Sequence, residues 1–380
     1  MKKCKLGDIG DIVTGKTPKT KIKDNYGEKY FFITPEDLAN DFMIQETKRY
    51  LSEKGLQEVK SNSISGLSVC IDCIGSNLGN VIMVNDICVT NQQINSITNF
   101  SKEVNPYYIY FYFKNKKEYL QRIAGGTSVP IINKTRFSNI EILLPSKDEQ
   151  DKIVNTLKVL EDRILNNKNL YKKVYDYMQL VYQKYFYNYE NSKKPSKLEL
   201  KSLNEIVDIV TESEKPFKNP EKIYKHYSIP VFDETKTYGE EVGETILSNK
   251  YKVTSNNLLV SKLNPWFKRI VYPLGIDEAI CSTEFVVWKP KNDNLLEYLY
   301  VVANSERFTT YCTNASSGTS NSHKRVNPEF MMKYKVPYNE EIVFKFNEMV
   351  KPMVKKINLL LIENKKLKEA RDLLIKKIIK

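Results

Sequence analysis

The fold is decided by a stretch that begins LLPSKDEQ at residues 143–150 and continues to about Glu190. Ser146 and Glu149 have the spacing of a capping box, which satisfies two backbone donors at the start of a helix. Apolar or aromatic residues then recur at alternating steps of four and three, with one polar position, at Ile153, Leu157, Leu160, Ile164, Asn167, Tyr171, Val174, Met178, Val181 and Tyr185. This period of 3.5 residues predicts a coiled-coil helix, which needs a second helix to cover its apolar stripe.

The chain supplies such a second helix at its own far end. Asn339 suits the N-cap of a helix, and the two glutamates that follow it suit the positive end of the helix dipole. The apolar stripe then contains Met353, Ile357, Leu360, Asn364, Leu367, Arg371, Leu374 and Ile378. Each helix carries one asparagine on its stripe, and we predict that the two helices pair antiparallel. Pro352 interrupts the second helix, so we expect a kink or a broken first turn near Lys351.

The two halves of the chain repeat one another. LGDIGDIVT at residues 6–14 returns as LNEIVDIVT at 203–211. Gly-Thr-Ser at residues 126–128 returns at 318–320, and each half ends with a Pro and an acidic helix start. These collinear matches predict a tandem duplication.

Each copy is predicted to be a mixed domain of strands and helices followed by one long helix. Short apolar runs bounded by turn residues, such as YFFI at 30–33, predict strands, and a helix is predicted at 106–122. The fold class is therefore α+β, with two tandem mixed α/β domains and two long helices that pair as an antiparallel coiled coil with pseudo-twofold symmetry. The predicted segments are 1–145, 146–194, 195–337 and 338–380, in the order domain, helix with linker, domain, helix.

Composition narrows the choice of partners. The 380 residues include 59 Lys and Arg against 46 Asp and Glu, a net charge of +13, which favours a polyanion such as nucleic acid or a membrane surface. A Lys-rich genome composition is the alternative explanation of this charge. No apolar run is long enough to span a bilayer, and the N-terminus lacks the apolar stretch of a signal peptide. We therefore expect a cytoplasmic protein whose six cysteines are reduced.

Two motifs suggest chemistry that their surroundings do not support. GDIVTGKT at residues 10–17 fits the phosphate-loop pattern, but that loop needs a buried strand before it and a helix that starts at its lysine. The preceding residues are too short and polar for that strand, and Pro18 follows at once. Cys70, Cys73 and Cys88 are too few for a closed zinc site, so we expect no bound metal. No catalytic motif is recognisable, and we predict no catalytic residue.

Nucleic-acid binding is better supported, because the same kind of loop recurs in both copies. Small hydroxyl residues and backbone N–H groups hold phosphates, and Lys and Arg add charge and base-edge donors. The predicted DNA-binding residues of these loops are Gly126, Thr127, Ser128, Lys134 and Arg136, and Gly318, Thr319, Ser320, His323, Lys324 and Arg325. A basic and aromatic loop adds Lys262, Trp266, Lys268 and Arg269, and Lys16, Thr17 and Lys19 are predicted to lie in a loop near the polyanion. Ordinary basic surface loops are the alternative.

The whole chain resembles the specificity (S) subunit of type I restriction–modification systems, the HsdS family. The resemblance rests on the Leu-x-Asp-Ile or Leu-x-Glu-Ile opening of each half, on Thr17-Pro18, on Gly126-Thr127-Ser128, and on the Leu-Pro-Ser-Lys-Asp-Glu-Gln start of the central helix. Val336-Pro337 with Glu341 is the weaker counterpart of that start. The chain departs from its own first copy at Ile342, where the first copy has Gln150, and at Pro352.

The resemblance implies a function as well as a fold. Two target recognition domains would each read one half of a split double-stranded DNA sequence, while the paired helices set the spacing and dock two methyltransferase (M) subunits. Those subunits would bring S-adenosylmethionine and methylate adenine, and a separate restriction and translocase (R) subunit would use ATP and cut, so this chain would bind no cofactor. Two other hypotheses stay open at this point: a phosphate-loop NTPase with a coiled-coil arm, and a coiled-coil scaffold that binds DNA without sequence preference.

Overall fold

A computed structural model describes residues 1–38, 42–125, 129–187, 198–318 and 323–379, and the chain divides into two compact units. The N-terminal unit comprises Met1–Leu165 and Leu367–Lys380, and the central unit comprises Asn166–Lys366. Each long helix therefore contributes one part of its length to each unit. The domain limits predicted at residues 145, 194 and 337 stay predictions.

The N-terminal unit contains eleven described strands, which form three sheets. The strands are β1 (Lys2–Lys5), β2 (Asp11–Thr14), β3 (Tyr26–Gly27), β4 (Tyr30–Ile33), β5 (Tyr50–Leu51), β6 (Ser63–Ile64), β7 (Leu67–Asp72), β8 (Val81–Asn85), β9 (Cys88–Thr90), β10 (Ile94–Thr98) and β11 (Glu141–Leu144). The sheet orders are β1-β11, β2-β10-β7-β8 and β3-β5-β4-β9-β6. All pairs in the second sheet are antiparallel, and β4 and β9 are parallel in the third.

The helices of this unit are α1 (Leu6–Ile9), α2 (Glu53–Glu58), α3 (Pro106–Lys114), α4 (Lys117–Ile123), α5 (Lys134–Ser138) and the first part of α6 (Lys147–Phe186). Helices α1, α3 and α5 of this unit pack against the four-stranded sheet, whereas α2 packs beside β5 of the five-stranded sheet. Helix α3 is apolar on every side, and its residues 108–113 are all buried, as expected for a helix enclosed by its own domain. The core joins α3 to β7, to Leu157 of α6 and to Ile375 near the end of the chain.

The helix predicted at 106–122 is two helices. Asn115 caps the first one, and its side-chain Nδ2 donates to the carbonyl of Ile379 at 2.9 Å, which holds the chain at the break. A long-range contact of this kind cannot be read from local periodicity.

The central unit repeats this construction. Its strands are β12 (Glu199–Ser202), β13 (Val207–Val210), β14 (Ser213–Glu214), β15 (Ile223–Tyr227), β16 (Gly239–Val242), β17 (Lys250–Val253), β18 (Leu258–Ser261), β19 (Ile270–Val271), β20 (Ala279–Cys281), β21 (Phe285–Pro290) and β22 (Lys335–Tyr338). Its helices are α7 (Leu203–Ile206), α8 (Ile229–Thr235), α9 (Leu296–Ala303), α10 (Glu306–Asn314), α11 (Pro328–Met331) and the first part of α12 (Glu340–Ile378). The sheet orders are β12-β22, β13-β21-β18-β19 and β14-β17-β20-β15-β16.

The two copies differ at the edge of the five-stranded sheet. In both, a parallel pair lies in the middle, β4 with β9 and β15 with β20, flanked by one antiparallel strand on each side. The fifth strand is added beyond β5 in the first copy, whereas it is added beyond β17, on the opposite edge, in the second copy. The duplication has therefore kept the middle of this sheet and changed its edge.

Both long helices begin where the sequence predicts. The backbone N–H of Ser146 donates to Glu149 Oε2 at 3.1 Å, and the N–H of Glu149 donates to Ser146 Oγ at 3.4 Å, which is the predicted capping box. Asn339 accepts the N–H of Ile342 at 3.1 Å and so caps α12.

The broken first turn expected near Lys351 is wrong, because α12 continues as one helix from Glu340 to Ile378, while the alternative expectation of a kink stays a prediction. The proline removes the hydrogen bond to the carbonyl of Glu348, four residues earlier. Both Pro352 and Glu348 are exposed, so water can reach that carbonyl. The helix therefore tolerates the proline at this surface position.

Two polar contacts show how the long helices pair. In the central unit, Asn167 Nδ2 donates to Asn364 Oδ1 at 3.0 Å. In the N-terminal unit, Arg371 Nη1 donates to the buried Glu161 Oε1 at 3.1 Å. Between these two contacts the residue number falls by six in α6, from 167 to 161, and rises by seven in α12, from 364 to 371. The two helices are therefore antiparallel.

The predicted stripe positions are all at least partly covered. The buried ones are Leu157, Ile164, Asn167, Met178, Val181, Ile357, Leu360 and Arg371, and the half-buried ones are Ile153, Leu160, Tyr171, Val174, Tyr185, Met353, Asn364, Leu367, Leu374 and Ile378. Two neighbours in α6, Val154 and Glu161, are more deeply buried than the predicted Ile153 and Leu160. A search for apolar residues alone does not find Glu161, because its side chain is charged.

Candidate nucleic-acid interface

The phosphate-loop motif does not have the structure of a phosphate loop. Residues Asp11–Thr14 form strand β2, and residues 15–19 follow as an extended loop. No helix begins at Lys16, and the next helical turn is a short 3-10 helix at Lys23–Asn25. A phosphate loop needs a helix N-terminus at this lysine, so the geometry gives the NTPase hypothesis no support.

The same loop places its basic residues on the surface. The Thr17 hydroxyl donates to Gln92 Oε1 at 2.6 Å, and the backbone N–H of Lys19 donates to Glu58 Oε1 at 3.0 Å. Lys16 and Lys19 are exposed. These contacts fix the loop backbone and leave two lysine side chains on the outside, which suits contact with a polyanion.

The first Gly-Thr-Ser prediction, Gly126–Ser128, lies outside the described residues, but the base of its loop is well defined. Gly125 and Ile131 exchange two backbone hydrogen bonds, at 3.0 and 2.8 Å. Helix α5 starts three residues later, with Asn133 as its N-cap. Lys134 and Arg136 are exposed on this helix, so they lie next to the closed base of the loop.

The second loop is closed in the same way. Ser317 and Arg325 exchange two backbone hydrogen bonds, at 3.0 and 2.8 Å. The predicted Thr319 and Ser320 lie outside the described residues, whereas Gly318 is described. A Cβ on Gly318 would lie 2.6 Å from the carbonyl oxygen of His323, so a larger residue would force the backbone to move.

The structure brings two predicted regions of the central unit together. The backbone N–H of Asn264 donates to the carbonyl of Lys324 at 2.8 Å, and the N–H of Lys324 donates to Asn264 Oδ1 at 3.0 Å. The N–H of Val326 donates to the carbonyl of Lys262 at 3.0 Å. The β18–β19 loop, residues 262–269, therefore packs beside residues 323–325, which are about sixty positions away in the sequence.

Several of the predicted basic residues hold this region together. Arg269 is 7% exposed and binds Asp233 through two hydrogen bonds, from Nε at 2.6 Å and Nη2 at 2.8 Å. Lys268 pairs with Glu306. Arg269 as placed supports the loop and does not offer its donors to a ligand.

Arg325 is also paired. Its guanidinium makes a bidentate contact with the carboxylate of Glu284, from Nε at 3.0 Å and from Nη2 at 2.8 Å. The side chains of Lys262, Trp266 and Lys324 are partly exposed, and His323 is exposed. The DNA contacts predicted for the residues of this region stay predictions. The acidic partners of Arg269 and Arg325 could not be inferred from the sequence, because they lie 36 and 41 positions away.

The sequence reasoning missed the corresponding loop of the N-terminal unit, the β7–β8 loop at residues 73–80. The N–H of Gly75 donates to the carbonyl of Pro130 at 2.9 Å, so this loop packs against the base of the first Gly-Thr-Ser loop. It carries no Lys or Arg, which is why a search for basic loops passed over it. The internal repeat could have revealed this loop, because it occupies the place in the first copy that the β18–β19 loop occupies in the second.

A buried carboxyl lies beneath the β7–β8 loop. Asp72 is completely buried at the end of β7, where its Oδ1 accepts the backbone N–H of Ile74 at 3.2 Å. Burial raises the pKa of Asp72 to about 6, although the backbone N–H groups of Ile74 and Cys73 oppose that shift.

The cysteines of the possible zinc site are core residues. Cys70, Cys73 and Cys88 are buried, and burial raises the pKa of Cys70 and of Cys73 to about 12. Both groups are therefore neutral thiols at physiological pH. Across the described parts of the chain, no three His, Cys, Asp or Glu side chains are grouped so that they could hold a metal ion.

No helix in the described ranges has both the length and the apolar character needed to cross a membrane. Both long helices carry a lysine or an acidic residue in nearly every turn.

Comparison with known proteins agrees with this geometry. The family described as type I restriction modification DNA specificity domain matches twice, over residues 1–175 and 195–339, once on each copy. The MjaIX type I restriction enzyme specificity subunit of Methanocaldococcus jannaschii is 27% identical over 99% of this chain and 91% of its own length. The HindI specificity subunit of Haemophilus influenzae is 35% identical over 43% of this chain and 37% of its own length.

A solved structure has the same fold. The crystal structure of the S subunit of a type I restriction–modification system from M. genitalium matches with a TM-score of 0.58 and 16% identity, over 100% of this chain and 96% of that one. Together with the two family matches, which cover most of the sequence, this similarity assigns the chain. It belongs to the family of type I restriction–modification specificity subunits, the HsdS proteins, whose domains recognise DNA sequence.

Proposed function

We propose that each copy reads one half of a split double-stranded DNA target. The observation that supports this most directly is the double family match, one on each copy, on two domains that share the same sheets. Both copies place a closed loop beside the end of the third strand of the four-stranded sheet, at Gly125–Ile131 and at Ser317–Arg325. Two similar surfaces with different side chains suit two different half-sites.

The paired helices are proposed to set the gap between the half-sites and to dock two methyltransferase subunits. Large apolar side chains lie exposed on both helices, away from the buried stripe. They are Tyr177, Leu180 and Leu359 in the central unit and Val159 and Leu373 in the N-terminal unit, all more than half exposed. Tyr177 and Leu180 lie one helical turn apart on α6, and neighbouring exposed apolar side chains of this kind suit a protein interface.

The chain itself is proposed to be non-catalytic. S-adenosylmethionine would be bound by the methyltransferase subunits, and ATP by a restriction and translocase subunit. The proposal is supported by the structure of the phosphate-loop motif, which is a strand followed by an extended loop. It is also supported by the buried, neutral thiols, which are unsuited to nucleophilic attack.

The experiment is to express the chain with a methyltransferase subunit of a type I system that forms a complex with it, and to map adenine methylation across the host genome. We expect one bipartite motif with a constant gap. Methylation without any sequence motif would instead favour the non-specific scaffold hypothesis.

A control addresses catalysis directly. The purified chain alone, incubated with labelled S-adenosylmethionine and mixed-sequence DNA, should transfer no methyl group. Methyl transfer by the isolated chain would contradict the non-catalytic assignment.

A further inference from the structure

The β7–β8 loop and the β18–β19 loop have the same length and the same anchors. The N–H of Asp72 donates to the carbonyl of Asn80 at 2.9 Å, and the N–H of Ser261 donates to the carbonyl of Arg269 at 3.0 Å, which closes each loop at its ends. The side chain of the last strand residue also accepts the N–H two positions on, at 3.2 Å in both loops. Each loop is thus built on an equivalent turn.

The middle of each loop is held in the same way. The N–H of Gly75 donates to the carbonyl of Pro130 at 2.9 Å, and the N–H of Asn264 donates to the carbonyl of Lys324 at 2.8 Å. Three positions later, the N–H of Leu78 donates to the carbonyl of Gly75 at 3.2 Å, and the corresponding bond from Phe267 to Asn264 measures 3.0 Å. Both loops are therefore pinned to the neighbouring loop of their own copy.

The two loops also share a left-handed backbone conformation, which is unfavourable for most residues, at two equivalent positions. Gly75 and Gly79 have φ of +89° and +93° in the first loop. The equivalent residues of the second loop are Asn264 and Lys268, both with φ of +47°. A non-glycine residue in this left-handed region costs stability, and such residues cluster at functional sites. The second copy keeps the loop conformation although it has lost both glycines.

The side chains, by contrast, differ at every one of the eight positions. CIGSNLGN at residues 73–80 stands opposite KLNPWFKR at residues 262–269. Two related domains that recognise different DNA sequences would need such a shared backbone with different side chains.

Each loop presents one distinctive side chain. Asn77 is exposed, and its side-chain amide group makes no hydrogen bond to another residue in the described part of the chain. Phe267 is 57% exposed. The Arg269 guanidinium, fixed by Asp233, lies 4.6 Å from the centre of the Phe267 ring and supports it. An arginine that is itself buried and paired with a partly exposed carboxylate therefore lies behind an aromatic ring that faces solvent.

We infer that Asn77 and Phe267 are specificity-determining residues, one for each half-site. The asparagine amide would pair with the donor and acceptor edge of an adenine, and the phenylalanine would contact a thymine methyl group. The lysine and arginine beside Phe267 would shape the loop and would not read bases. This inference rests on the proposed function and adds to it the residues and the bases.

The test uses the complete chain together with its methyltransferase subunit, and genomic DNA as the probe. The variants are Asn77→Ala and Phe267→Ala, and the fraction of methylated adenine is sorted by the base at each motif position. Each variant should lower the discrimination at one or two positions of one half-site by between about 5-fold and about 150-fold, the range of a good base contact. The other half-site should be unchanged.

Matched controls are available in the same units. Asn85 is exposed at the far end of β8, and Phe217 is 41% exposed on a 3-10 helix beside the five-stranded sheet. Asn85→Ala and Phe217→Ala should leave the motif as it is. The melting temperature of all four variants should match the wild type, because none of the four side chains belongs to the core.

The outcomes are distinct. Wild-type methylation that follows a bipartite motif, together with unchanged motifs in both loop variants, would overturn this inference and leave the proposed function standing. An equal loss of methylation at all sites, with no change in base preference, would also overturn it, since phosphate contacts act in that way. A wild type without any motif would overturn both.

Discussion

Replacing Arg371 with leucine removes the positive partner of a carboxylate inside the N-terminal unit. The side chain of Glu161 is 1% exposed and that of Arg371 is 7% exposed, and Arg371 Nη1 lies 3.1 Å from Glu161 Oε1. Arg371 also donates from Nε to Asp372 at 2.8 Å, but that carboxylate is half exposed and can be solvated without it. Glu161 has no such access to water.

The expected magnitude follows from this burial. Leaving a buried charge without its partner costs about 3–5 kcal/mol. In a folding unit of this size, 1 kcal/mol shifts the melting temperature by about 2–4 °C. Arg371→Leu should therefore lower the melting temperature of the N-terminal unit by about 6–20 °C. The double variant Glu161→Leu with Arg371→Leu should recover part of that loss, since an apolar pair fits a buried site. The recovery is incomplete because Lys114 then loses the attraction of the Glu161 carboxylate.

The loss should depend on pH in a defined direction. Burial raises the pKa of Glu161, and the charges of Arg371 and Lys114 oppose that shift, so the pKa rises further when the arginine is removed and only Lys114 is left. A carboxyl with a raised pKa in the folded state contributes stability below its unfolded pKa and loses that contribution as the pH rises through the folded pKa. The deficit of Arg371→Leu should therefore be larger at pH 8 than at pH 5.

The assay is thermal unfolding followed by circular dichroism for the wild type, both single variants and the double variant. The exposed pair of Lys3 and Glu141 serves as the control, and Lys3→Ala should change the melting temperature by less than about 2 °C. The reasoning would be refuted by a single variant that melts within about 2 °C of the wild type, or by a double variant that melts as low as the single ones.

Four further predictions concern individual features. Asp72→Asn should raise the melting temperature at pH 7.5 and leave it nearly unchanged at pH 4, because the raised pKa of about 6 makes the buried carboxyl unfavourable only as the pH rises through that value; equal effects at both pH values would contradict this. Calorimetric titration with ATP should show no binding to the wild type or to Lys16→Ala, whereas ATP binding abolished by this change would restore the NTPase hypothesis. Replacing residues 1–145 with the matching domain of a related subunit should alter one half of the methylated motif, and a change in both halves would show that the copies do not act independently. Seven residues inserted beside both Asn167 and Asn364 keep the stripe in register and add roughly 10 Å, so the gap in the motif should widen by about three base pairs; an unchanged gap in an active variant would mean that the helices do not set it.

Much of the helical framework could be predicted because its determinants are local. The capping box at Ser146, the Asn339 cap and the period of 3.5 residues each depend on side chains within a few positions of one another. The same periodicity placed Asn167 and Asn364 on the two stripes, and the structure shows that their side chains are hydrogen-bonded to each other. The duplication was visible for a similar reason, since it repeats short stretches in the same order.

Prediction failed where a distant partner decides the local outcome. The helix predicted at 106–122 breaks at Asn115, whose side chain binds the carbonyl of Ile379, 264 positions away. Pro352 does not break its helix, because the carbonyl that it leaves without a donor faces water. Neither environment is encoded within one turn of the residue concerned.

The sequence by itself determined that this chain is a duplicated α+β protein with two paired helices, because periodicity, caps and repeats are properties of neighbouring residues. Only the tertiary structure decided which loop residues face outward. Arg269, whose DNA contact stays a prediction, binds Asp233, 36 positions away, and lies against the ring of Phe267, and no local pattern of the sequence shows either contact. The β7–β8 loop was overlooked because it carries no charge, and its equivalence to the β18–β19 loop lies in backbone hydrogen bonds. Such equivalence belongs to backbone contacts between distant segments, which no local pattern of side chains records.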